Sequence, residues 1–177
     1  MPSTRRGPVE GLRQFHGVRL QDDRGSFAKV MSQGQQTNEK LNLVDMFWSK
    51  SSSGVIRGMH LQTGAAAGRK LVWVSEGSIR DVVLDLRTTS PSYLNWCEFV
   101  LEWNSDPLLI PAGCAHGFAV IQGPAIVNYA QDCGFVPELD SGVRWNSFNF
   151  DWGIAQPIVS SRDSALPTLA DFLARDQ

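Results

Sequence analysis

This 177-residue sequence predicts an all-β fold that closes on itself, as a barrel or a double-sheet jelly roll, with one short helix near the C-terminus. Three observations carry the prediction. Short apolar or alternating runs recur along the chain, the pattern of strands and not of helices. Glycine-containing turn signals separate those runs. So many strands in so short a chain require closure, because an open sheet would leave unpaired edges.

In chain order, VRLQDDRGSFAKV reads as two strands around a DDRG turn, and NLVDMFW and GVIRGMHLQ as single strands. RKLVWVSEG and SIRDVVLDLR read as two strands divided at Gly77; WCEFVLEW and PLLIPAG follow. HGFAVIQG and AIVNYAQD read as two more, divided at Gly123. The glycines at 25, 54, 64, 68, 77, 113 and 123 are expected to supply the left-handed conformations that tight turns need. The helix is LPTLADFLAR, with Pro167 early and Leu169, Phe172 and Leu173 on one face.

Composition narrows the function classes. Hydrophobic residues make up 42% and charged residues 19%, which suits a single domain over residues 1–177 with a real core. A net charge of -2 gives no global attraction for nucleic acid or membrane, so an anionic ligand must be held by local arginines. The three cysteines are odd in number and lack CxxC spacing, which speaks against a disulfide framework or thiolate zinc site and for a reducing cytoplasm. No apolar run approaches the roughly 18 residues of a membrane span.

The chemistry concentrates in IRGMHLQ followed by RKLVWV, and in IPAGCAHGFAV. The segment Pro111-x-Gly113-x-x-His116 resembles the second histidine motif of the cupins, a jelly-roll superfamily. The first segment then stands where cupins carry an HxH pair, here His60-Leu61-Gln62; strand alternation sends His60 and Gln62 to one face. Two histidines are too few to hold zinc or iron firmly, so no metal is expected.

The ordered segments DDRGSF, GVIRGMHLQ, RKLVWVSEGSIRDVVLDLRTTSPSY, LLIPAGCAHGF, YAQDCGFVPE, GVRWN and SSRDSALP resemble the dTDP-4-dehydrorhamnose 3,5-epimerase family. These are metal-free cupins acting on nucleotide-linked 4-keto-6-deoxy sugars, and the resemblance runs from residue 22 to residue 167. It implies a cofactor-free reaction with His60 as base and Asp163 as the partner that orients its ring. Lys70, with His116 beside it, would stabilise the enolate, and Tyr129 would protonate the opposite face. Arg24 and Arg57 would grip the diphosphate, while Phe27, Phe47, Gln62 and Phe135 would line the substrate site. Relatives also imply a homodimer in which an edge strand extends the partner's sheet.

Each of these residues has a plainer reading. Either histidine alone reads as a packed interior residue, Lys70 as a solvated strand end, and Tyr129 as a core aromatic. Asp163 could be a helix cap, and DDRG an exposed turn with an internal ion pair. An arginine within an apolar strand, as Arg57 is, needs an anion or a partner.

The chain also departs from the family pattern. Lys29 stands where an acidic residue is common, Phe47 and Trp48 where an asparagine and a histidine are usual, Phe135 for a tyrosine, and Ser147 for an aspartate. These changes touch the substrate and leave the proposed base, acid and enolate stabiliser intact. A Phe47/Trp48 pair is expected to offer stacking surface in place of hydrogen bonds, and CDP- or GDP-linked sugars come into view. A 3,4-ketoisomerase, a metal-dependent cupin and a non-catalytic sugar-binding cupin are the competing readings.

Overall fold

The computed structural model describes residues 3–31 and 41–175. Two long strands, β7 (Lys70–Asp85) and β10 (Cys114–Gln131), run antiparallel along their whole length, from the Lys70/Gln131 pair to the Asp85/Cys114 pair. The other strands of the main sheet are hung on this ribbon. One half of it pairs with β6 (Ile56–Gln62) and β8 (Asn95–Glu102), with β11 (Asp140–Gly142) beyond β6 and β1 (Arg5–Arg6) beyond β8. The other half pairs with β5 (Asp45–Ser51) and β9 (Leu108–Ile110), with β2 (Arg13–Gln14) beyond β9. The sheet thus folds over into two walls, the double-sheet jelly roll of the cupin type that the sequence predicts.

The fold line corrects one expectation. Gly77 and Gly123 are not turns between separate strands; they lie inside β7 and β10, where the pairing register shifts between Val120 and Val127. Gly77 has φ +76, and a Cβ there would stand 2.5 Å from the carbonyl oxygen of Gln122. A side chain at that corner would force the ribbon open. The glycine signal is local, and only the closing of the walls decides whether it makes a turn or a bend.

Alternation along the ribbon fills two layers. Val72, Val74, Ile79, Val83, Phe118, Val120 and Val127 meet between the walls. On the opposite face of the first wall, Val82, Leu84, Ala115 and Ala119 are covered by Val143, Phe148, Trp152, Leu169 and Phe172. The expected helix is observed as α2 (Leu169–Arg175), and its burial of Leu169 and Phe172 explains why so short a helix persists. Each such side chain contributes about 1.5–3 kcal/mol when removed from water. The C-terminal segment is therefore bound to the outside of the sheet, and residue 163 lies against the middle of β6.

β3 (Val18–Asp22) and β4 (Gly25–Lys29) form a separate hairpin whose residues are mostly exposed. The three cysteines, Cys97, Cys114 and Cys133, are free thiols. Among the described residues no helix is long and apolar enough to cross a membrane.

Candidate active site

Across the β6–β10 ladder, His60 and His116 are direct register partners. Lys70 opens β7, and Tyr129 lies on the same inward face of β10 as Gln131, the register partner of Lys70. The four side chains face one cavity of about 420 Å³, whose lining also includes Phe47, Ser49, Arg57, Gln62, Phe135, Asp140 and Arg162. A cavity of that size suits a small-molecule ligand.

His60 Nε2 lies 2.8 Å from Asp163 Oδ1, and the second carboxylate oxygen accepts from Gly58 N–H at 3.0 Å. Asp163 sits in the short helix α1 (Ser161–Ser164), where the Ser160 hydroxyl accepts from its backbone N–H at 3.0 Å. The capping reading and the partner reading thus hold together: Ser160 caps the turn, and the Asp163 side chain turns inward to His60. Burial disfavours the Asp163 charge, but the hydrogen bonds from His60 and Gly58 outweigh it and hold the carboxyl below the ordinary range. Gly58 has φ +123, and a Cβ there would lie 2.5 Å from Gly117 Cα. Only glycine lets β6 approach β10 that closely while aiming its N–H at Asp163.

A second pair stands deeper. His116 Nε2 lies 2.7 Å from Asp81 Oδ2, with both side chains buried. Burial pulls His116 toward its neutral form although Asp81 opposes this, and the charges of Lys70 and His60 act in the same direction as burial. Burial likewise lowers the Lys70 ammonium from its usual value, against the opposing pull of Asp81, Cys133 and Asp140. The Tyr129 hydroxyl is raised by burial, which outweighs its contact with Ser49 Oγ at 3.4 Å, so the phenol stays protonated at neutral pH.

The remaining candidates divide. Arg57 donates Nε–H to Ser51 Oγ at 2.9 Å and, among the described residues, has no carboxylate within ion-pair distance, leaving its charge facing the cavity. The Gln62 amide is occupied by Val136, accepting from its N–H at 3.0 Å, and so holds the segment that carries Phe135. Phe47 faces inward and stacks on Tyr129, whereas Trp48 is 65% exposed and points away. The expected Phe47/Trp48 pair is thereby corrected, since adjacent residues on a strand face opposite ways. Arg24 lies at the exposed tip of the β3–β4 hairpin, bound to Asp22 at 2.5 Å, and Phe27 is 54% exposed on the same hairpin. Neither lines the cavity of its own chain.

Asp81, Gly58, Ser49 and the rim pair Asp140–Arg162 belong to the site and escaped the sequence reading. Asp81 left a signal: it shares the inward face of β7 with Ile79 and Val83, an acid where an apolar residue is the rule. Among the described residues no three His, Cys, Asp or Glu side chains converge as a metal would need.

The family model described as dTDP-4-dehydrorhamnose 3,5-epimerase matches residues 6–171. The Escherichia coli K12 protein of that name is 34% identical over 159 residues, covering 86% of each chain. The Bacillus anthracis dTDP-4-dehydrorhamnose 3,5-epimerase, solved with TDP and PPi bound, superposes with a TM-score of 0.86 at 34% identity, over 90% of this chain and 94% of its own. A Legionella pneumophila dTDP-6-deoxy-D-glucose-3,5-epimerase, solved with dTDP-4-keto-L-rhamnose, gives 0.86 at 27% identity, over 95% and 93%. With so nearly complete a match in both sequence and fold, the chain belongs to the dTDP-4-dehydrorhamnose 3,5-epimerase family.

Proposed function

We propose that this protein inverts carbon 3, carbon 5 or both of a dTDP-linked 4-keto-6-deoxy sugar, removing a proton from one face and returning one to the other. The observation that carries the reading is the His60–Asp163 pair opening onto the same cavity as Lys70 and Tyr129. Asp163 accepts from the Nε2–H of His60, which leaves the other ring nitrogen free to take the proton beside the ketone. As that C–H bond breaks, its electrons form the enolate double bond and the charge moves to the carbonyl oxygen. Lys70, with neutral His116 beside it, stabilises that oxygen. Tyr129 then gives its proton to the opposite face of the carbon. The ketone is the electron sink, so the reaction calls for no cofactor.

Arg57 supports the nucleotide end of the reading, since a guanidinium at the cavity with no carboxylate beside it among the described residues suits a diphosphate. The exposed hairpin with Arg24 and Phe27, and the exposed Met46 and Trp48 on the neighbouring edge strand, support a homodimer in which the hairpin reaches a partner's site. The whole chain acts as one domain, because β7 and β10 build both walls and the cavity. Free cysteines fit a cytoplasmic setting.

The test is incubation in deuterated water with dTDP-, CDP- and GDP-linked 4-keto-6-deoxy sugars, followed by mass and NMR. Deuterium with inverted configuration, best with the dTDP sugar, supports the reading. Movement of the ketone to carbon 3 would replace it with a 3,4-ketoisomerase, and binding without label with a sugar-binding module.

A further inference from the structure

A single carboxylate fastens the β3–β4 hairpin to the body of the fold. Asp106, in the loop between β8 and β9, accepts through Oδ1 from Gly17 N–H at 3.3 Å and from Arg19 Nη1 at 3.1 Å. Its Oδ2 lies 2.7 Å from His16 Nδ1, and Arg19 also donates to the Ser105 carbonyl beside it. Among the described residues no other hydrogen bond ties residues 16–29 to the rest of the chain. Burial disfavours the Asp106 charge, but the hydrogen bonds from Arg19, Gly17 and His16 outweigh it and hold the carboxyl below its ordinary range. Every residue from 18 to 29 is exposed except Arg19, whose side chain is 24% exposed against 22% for Asp106. Beneath the hairpin, Arg19, Lys29, Trp73 and Trp103 line a cavity of about 240 Å³, so that Arg19 acts as a strut between hairpin and body. The returning strand is held differently, by Val30 and Met31 packing against Phe15, Leu41, Leu71 and Leu109.

A two-stranded hairpin with no third strand beside it takes its direction from its root. Arg24 stands beyond Arg19 by about 15 Å of extended strand, so a tilt of about 5° at the root carries the tip by about 1 Å. Misplacement of that size is enough to cost about a hundredfold in rate where a group must meet a ligand. The root contact is also the stronger of the two arginine–aspartate pairs of the hairpin, because Arg19 and Asp106 are largely withdrawn from water and Arg24 and Asp22 are not. We infer that Asp106 is a positioning residue for substrate binding: by holding Arg19 it aims the hairpin, and with it Arg24 and Phe27, at the site of the partner subunit. The inference rests on the homodimer reading above and adds what sets the reach of the hairpin.

The experiment measures kcat and KM for dTDP-4-keto-6-deoxyglucose in the parent, Asp106→Ala, Arg19→Met and the paired variant Arg24→Ala/Phe27→Ala, and repeats Asp106→Ala in that paired background. Asp106→Ala is expected to raise KM about tenfold with kcat little changed, because His60, Lys70 and Tyr129 stay on the body of the fold. Arg19→Met keeps the stem and removes the fork, so it is expected to give the same rise, and it decides the matter if Asp106→Ala fails to fold. In the paired background Asp106→Ala is expected to change KM by less than about twofold, since a hairpin without Arg24 and Phe27 has nothing left to aim. A merely structural role would add its effect there as it does in the parent. Unchanged KM in both Asp106→Ala and Arg19→Met, or an additive effect in the paired background, overturns the inference, while a raised KM in Arg24→Ala/Phe27→Ala keeps the homodimer reading standing. A parent that is monomeric by light scattering or does not turn the sugar over, or unchanged KM in the paired variant, overturns the reading and the inference with it.

Discussion

Two histidine–carboxylate pairs stand on paired strands, His60–Asp163 at 2.8 Å and His116–Asp81 at 2.7 Å, and they differ in almost everything but that distance. The His60 side chain is 26% exposed and faces the cavity, whereas His116 is 4% exposed and Asp81 fully buried. Both oxygens of Asp163 are bonded, one to His60 and one to Gly58, while Asp81 Oδ1 has no hydrogen-bond partner among the described residues. A carboxylate with both oxygens bonded and a ring that faces the cavity hold His60 in one orientation and leave it within reach of a ligand. A buried pair with an unpartnered oxygen is a fixed field, and its charge acts on its neighbour Lys70. Exposure and the second hydrogen bond, not the histidine–aspartate contact itself, set the two pairs apart.

The largest expected effect breaks the first pair. His60→Ala removes the proposed base, so solvent-deuterium exchange into the keto sugar should fall by about 10²–10⁴, with binding of dTDP preserved in calorimetry. Near-normal exchange in a folded variant would assign the base elsewhere. Asp163→Asn keeps the proposed base but removes the carboxylate that holds its ring, and should cost about 10–100-fold in turnover measured by the same exchange. An effect as large as that of His60→Ala would mean that Asp163 does more than orient.

The second pair should respond through pH. Asp81 supports the Lys70 cation against burial, so Asp81→Asn should lower the Lys70 pKa further. The alkaline limb of the pH–rate profile is then expected to move toward lower pH, a shift absent in Asp163→Asn. The smallest effect concerns stability. Because His116 is held below its ordinary value near 6.5, the unfolded chain takes up a proton on acidification that the native chain refuses. Its contribution is complete above that value and is lost as pH falls toward the native pKa, by up to about 1.4 kcal/mol per pH unit. Urea unfolding from pH 7.5 down to 5.5 should show this loss in the parent and a flatter response in His116→Asn.

The two pairs were not equally legible. His60, His116, Lys70, Tyr129 and Asp163 could be picked out because each lies in a segment with its own recognisable residue order. Asp81 carries no such motif; its meaning comes from facing inward between two walls, which strand alternation hints at and only closure establishes. Phe47 and Trp48 looked like a pair in sequence and are separated by the pleat, one ring on Tyr129 and the other in solvent. The hairpin of Arg24 and Phe27 was legible as a hairpin, with the Asp22–Arg24 ion pair its sequence suggests, but its distance from the cavity was not.

By itself the sequence determined the all-β class, the short terminal helix, the absence of a third metal-ligating histidine in the HxH position, and the kinds of side chain available for proton transfer. These follow from period and residue type, which act over a few neighbouring residues. The tertiary structure decided that Gly77 and Gly123 bend strands instead of ending them, that Gly58 lets two strands close to within reach of Asp163, and that a carboxylate 103 positions along the chain meets His60. Those outcomes depend on burying both faces of one sheet, a condition met by the chain as a whole and by no segment alone.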